Sequence, residues 1–153
     1  MKSFRASALA FFAASPLLAQ TAGVPDLSYA VPLPGNWSYA AAADGSEATF
    51  RDASARPQLT LHCTKASRVV TIAKPASTAS PFLSVWSSSH TRNVPASFDP
   101  ATARASARLT AFDPLLDGIA YSRGRFAVGV SGAPPLVVPA WPEALRVIED
   151  CRA

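Results

Sequence analysis

Two cysteines constrain this chain more than any other feature, because each sits in a segment whose pattern fixes where it points. Residues 58–64 alternate strictly. Leu59, Leu61 and Cys63 share one parity, and Thr60, His62 and Thr64 share the other. A period of two is the mark of a half-buried strand and sets Cys63 on the apolar face. Residues 142–151 carry a different period. Ala144, Val147, Ile148 and Cys151 recur at helical spacing, with Glu143, Arg146, Glu149 and Asp150 around the other side. Pro142 opens this helix, and Glu143 lies in its first turn, where the dipole favours an anion. Cys151 therefore leaves the apolar stripe toward the sheet that holds Cys63, which is the orientation a bridge between them requires.

Such a bridge needs an oxidising compartment, and the first residues carry that expectation. Lys2 and Arg5 form a positive head, residues 6–14 are an uncharged apolar run, Ser15-Pro16 breaks it, and Leu17-Leu18-Ala19 ends on a small residue. This is the layout of a secretory signal peptide spanning 1–19, cut after Ala19 or, alternatively, after Ala22. The apolar run is shorter than the ~20 residues that cross a bilayer. The expected location is the periplasm, or the exterior, of a bacterium. An even cysteine count in an exported chain reads as a disulfide, and two cysteines allow one connectivity. Closing so long a loop is worth about 4–5 kcal/mol at most.

Bulk properties narrow the function classes. The formal charge of +4 includes Lys2 and Arg5, whose removal leaves +2. So small an excess does not point to nucleic acid, and export makes that partner less fitting still. Arginine outnumbers lysine 11 to 3, which with the abundant alanine reads as the composition of a GC-rich genome. No further apolar run of spanning length follows the leader, so no membrane anchor is expected in the mature chain.

The body reads as one β-rich domain over 36–153, preceded by an extended lead-in over 20–35 that contains Pro25, Pro32 and Pro34. Strands are expected at 37–42, with Trp37 as a core anchor, and at 47–51 after an Asp44-Gly45 turn. Further strands are expected at 58–64 and 68–74, paired as a hairpin. Residues 82–88 are apolar on both faces, hence interior. Residues 93–98 contain Pro95, which points to an edge. Residues 103–111 alternate alanine with arginine, serine and threonine, which reads as a solvated edge. Asp113-Pro114 caps a helix over 114–122 that Gly124 ends in a left-handed conformation; Gly118 weakens that helix by about 1 kcal/mol. Residues 126–130 and 136–138 pair as the last strands. The fold expected is mainly β (α+β): an antiparallel β-sandwich or curved sheet with two short helices, the last tied by the disulfide.

The tail from Asp113-Pro-Leu-Leu-Asp-Gly through Pro139-Ala-Trp-Pro-Glu-Ala-Leu-Arg resembles a group of small, uncharacterised exported proteins of Gram-negative, largely alphaproteobacterial, bacteria. That resemblance implies export and brings no activity with it. The layout of leader, β-rich body with one cysteine, and terminal helix with the other is loosely similar to invasion-associated locus B-like proteins. No functional residue is carried across from either.

Candidate chemistry is sparse. His90 follows three serines, so a periplasmic hydrolase using His90 with a serine or aspartate is one expectation, although no Gly-x-Ser-x-Gly elbow is present. His62 falls on the outward parity of its strand. No metal-binding motif appears and no cofactor is expected; Asp99, Asp113 and Asp117 could converge in space, but Asp99-Pro100 and Asp113-Pro114 already have roles as turn and cap. The most suggestive polar feature is Ser122-Arg123-Gly124-Arg125, whose guanidinium groups at Arg123 and Arg125 are candidates for holding a carboxylate, a phosphate or a partner. Trp86 and Trp141 are candidates for core packing or a partner surface. The function expected is a non-catalytic envelope module binding a protein or small ligand. An inhibitor of an envelope enzyme, presenting loop 75–81 or 87–93, is the further alternative.

Overall fold

A computed structural model describes residues 25–153, so the leader-like stretch and both cut positions lie outside the described residues. The strands are β1 (Gly35–Ala42), β2 (Gly45–Asp52), β3 (Pro57–Thr64), β4 (Val69–Pro75), β5 (Phe82–Trp86), β6 (Thr91–Asp99), β7 (Arg104–Thr110), β8 (Arg125–Val130) and β9 (Leu136–Pro139). The helices are α1 (Pro114–Ala120) and α2 (Pro142–Arg152). Of the two β architectures expected, the chain adopts the single curled sheet. Its order is β1-β2-β3-β4-β7-β6-β5-β8-β9, antiparallel throughout. The β5–β6–β7 meander sits reversed between β4 and β8, which makes two overlapping Greek keys.

Curling brings the sheet's two edges together. Trp37 on β1 donates its indole N–H to the Pro139 carbonyl on β9 at 2.9 Å, and its ring meets Phe50 edge-on and stacks on Phe126. Inside the curl, alternate residues of seven strands join one core: Phe50, Leu59, Leu61, Val70, Ile72, Leu83, Val85, Ala107, Phe126 and Val138 are all buried there. Helix α2 packs its Ala144, Val147, Ile148 and Cys151 into the same core. Cys63 and Cys151 are bonded across 88 positions, with their Cα atoms 5.4 Å apart, inside the usual disulfide range. Tyr39 reinforces the attachment: its hydroxyl donates to Asp150 at 2.6 Å while Arg146 lies over its ring.

Four expectations change. Strand β7 is interior, paired to β4 along its whole length and to β6 over Arg104–Ala107. Its solvated arginine face reflects a sheet wet on one side, a pattern that an edge strand shares. Strand β6 is interior too, but Pro95 sits where its pairing changes sides, from β5 over Thr91–Pro95 to β7 over Ala96–Asp99. The Ala96 N–H points to the β5 side, to the Pro81 carbonyl, so the missing proline donor faces the side where β7 pairing has ended. Helix α1 stops at Ala120, short of 122, with Asp113 capping its start by accepting from the Leu115 N–H at 2.9 Å. Gly124 is left-handed (φ 76°), but it turns the chain into β8 instead of ending the helix. The first hairpin closes through Ala43-Asp44, one residue earlier than expected, since Ala42 pairs with Gly45.

The lead-in is tied down. Leu27 and Ala30 cover Trp86, Ala127 and Val137 on the outer face of β5, β8 and β9, and the Leu33 N–H donates to the Val137 carbonyl at 2.8 Å. Trp86 is therefore buried from outside the curl, while Leu83 and Val85 are buried from inside.

Candidate functional site

Antiparallel pairing sorts the connections into two ends. At one end lie a short 3-10 turn (Lys65–Ser67), loop 87–90, α1 and loop 121–124, together with the disulfide. That end is heavily cross-tied. Ser122 Oγ accepts from the Ser88 N–H at 3.1 Å, Ser88 Oγ accepts from the Arg123 N–H at 3.0 Å, and Arg152 bonds both the Ala111 carbonyl and Asp117. At the other end, segment 76–81 and turns 100–103 and 131–135 surround a cavity of about 670 Å³. Ser80 fixes its rim, with its hydroxyl bonded to the Phe82 carbonyl at 2.7 Å and accepting from the Ser131 N–H at 3.3 Å.

Lys74 lines this cavity. On β4 it follows Val70 and Ile72 in the inward parity, so its stem continues the core and its amine reaches the opening. The residue is only 7 % exposed, and it makes no ion pair or side-chain hydrogen bond among the described residues. The three connections framing the cavity contribute no charged side chain: segment 76–81 is Ala-Ser-Thr-Ala-Ser-Pro, 100–103 is Pro-Ala-Thr-Ala, and 131–135 is Ser-Gly-Ala-Pro-Pro. The closest charged neighbours along the strands are accounted for elsewhere. Arg104 donates to Thr60 and to the Ala73 carbonyl on the outer face, and Asp99 caps its own turn at the Ala101 N–H and Thr102 hydroxyl. Burial, with no compensating anion, pushes the Lys74 ammonium below the ordinary lysine value. Sequence reasoning passed over this residue. The signal was present: a lysine on the same parity as Val70 and Ile72 is a charge on a buried face.

The residues singled out from sequence are dispersed. Arg125 turns its guanidinium onto the Ala30 carbonyl and so holds the lead-in, with its Nε buried and unpartnered among the described residues. Arg123 is exposed and borders a separate cleft of about 260 Å³ with Ser28, Tyr29, Trp86 and Ser88. The two arginines serve different surfaces and do not form one fork. His90 lies exposed at the β5–β6 tip, 3.0 Å from the hydroxyl of its neighbour Ser89, and no carboxylate orients it among the described residues. A triad needs both a cavity and that orienting group. His62 faces outward on β3, 3.1 Å from Asp44 and 3.5 Å from Glu47, and its hydrogen bond holds the Asp44 carboxyl below the ordinary carboxylate value.

The three acidic residues stay apart. Asp113 pairs with Arg92 at 2.7 Å and Asp117 with Arg152 at 2.7 Å, while Asp99 lies at the opposite end of the sheet. Among the described residues no cluster of three metal-ligating side chains forms, and no helix is long and apolar enough to cross a membrane. Trp141, the residue before α2, is 40 % exposed. Set against known protein families, curated proteins and solved structures, the chain matches none.

Proposed function

We propose that this chain is an exported, non-catalytic binding module of the bacterial envelope, working in the periplasm or outside the cell, that takes a small ligand into the open end of its curled sheet. Export is supported by the leader-like pattern, by the disulfide, and by the resemblance of the tail to small exported proteins of Gram-negative bacteria. One observation carries the binding reading: a cavity of about 670 Å³ lined by Lys74, a residue only 7 % exposed and without a counter-ion among the described residues. That size lies within the range of small-molecule sites, and a rigid scaffold with a few polar groups set among apolar surface is how such sites select ligands.

The test is a backbone amide NMR titration of the protein purified from its native compartment with a panel of small acids, alcohols and sugars. Shifts should cluster at residues 76–78, 103 and 130–133. Shifts confined to the Arg123 cleft would move the site there and reject this one. A panel with no perturbation at either place would remove the small-ligand reading.

A further inference from the structure

We infer that the ligand of this mouth is a small monocarboxylate, its head paired with the Lys74 ammonium and its short hydrocarbon body lying against Pro75, Ala76, Ala103 and Val130. This rests on the binding reading above and adds the ligand's chemical class. Three features of the site select that class.

The first is the isolated charge. Lys74 is more than nine-tenths buried, borders the cavity of about 670 Å³, and has no carboxylate or acceptor among the described residues. A buried cation is costly unless paired, so an anion entering the mouth gains a charge-assisted hydrogen bond and relieves that cost at once. The second is its singleness. One ammonium, with no arginine beside it, matches one negative charge. Phosphate-binding sites gather several donors, through arginine forks or helix N-termini, and the described residues lining the cavity provide neither. The third is the lining. Around the amine, Pro75, Ala76, Ala103, Val130 and Ala133 offer short apolar surface, while Ser77, Thr78 and Ser131 supply hydroxyl donors for the remaining carboxylate lone pairs. An apolar body with one anionic head meets both halves of that surface.

Isothermal titration of the purified full protein with hexanoate, 1-hexanol and inorganic phosphate tests this, beside the Lys74→Met variant. Hexanoate should bind at least tenfold more tightly than hexanol, and phosphate should not compete. Lys74→Met should lose hexanoate binding at least tenfold, keep its hexanol binding, and melt no lower than the parent, because the methionine stem fills the same space without the charge. Equal affinity for hexanoate and hexanol in the parent protein needs no variant to interpret: it overturns the carboxylate assignment and leaves the small-ligand mouth standing. Undiminished hexanoate binding in a folded Lys74→Met variant, or phosphate outcompeting hexanoate, also overturns it. No binding by any probe at millimolar concentration removes the assignment together with the reading it rests on.

Discussion

Gly118 sets how closely α1 approaches the β5–β6 tip. A Cβ built there would stand 2.8 Å from Ser87 Oγ and 3.0 Å from His90 Nδ1. Ser87 cannot swing aside freely, since its hydroxyl bonds both the His90 carbonyl and the His90 N–H. Alanine would gain about 1 kcal/mol of helix propensity, but overpacking a fixed contact costs ~1–3 kcal/mol. Gly118→Ala is therefore expected to lose up to about 2 kcal/mol net in urea unfolding; a stabilised variant would mean that the loop yields. A second residue-scale prediction concerns acid. The Tyr39 hydroxyl holds the Asp150 carboxyl below its ordinary 3.8. A carboxylate depressed on folding stabilises fully above its unfolded value and loses that contribution as pH falls through the folded one. Tyr39→Phe moves the folded value back toward 3.8, so acid unfolding followed by tryptophan fluorescence should begin at higher pH than in the parent. An unchanged acid limb would deny the hydrogen bond its role.

At the scale of elements, the disulfide joins the two segments whose periods were clearest. Reducing it, or replacing both cysteines by alanine, should cost at most about 4–5 kcal/mol, read as a drop in denaturant midpoint with and without reductant. Equal midpoints would mean that α2 holds to the sheet by packing alone. Strand positions and both helices were legible in the sequence because each obeys a local period. Neighbour relations were not. The alanine–arginine alternation of β7 records one dry face and one wet face, and a strand between β4 and β6 satisfies that as well as an edge does. Pro95 marked a local break in pairing, correctly in its physics, within a strand that is interior overall. Trp86 read as buried without any sign that the lead-in, through Leu27 and Ala30, is what covers it.

For the whole molecule, curling one sheet around α2 leaves two unlike ends. One is shut by helices, the disulfide and the Ser88–Ser122 ties, and the other is framed by uncharged connections around Lys74. The candidate site was only half visible beforehand. Arg123 and Arg125 stood out as adjacent charges, yet the fold sends them to different surfaces, because Arg125 is spent on the Ala30 carbonyl. The parity of Lys74 with Val70 and Ile72 was legible, but the open end that β4 carries it to is set by the fold. The Lys74 amine also gives the most direct test. NMR titration of the Lys74 side chain should show it deprotonating below the ordinary lysine value in the free protein, and moving back up when hexanoate is added. Titration of Lys74 at the ordinary lysine value, unmoved by hexanoate, would contradict a counter-ion-seeking amine at the mouth of this sheet.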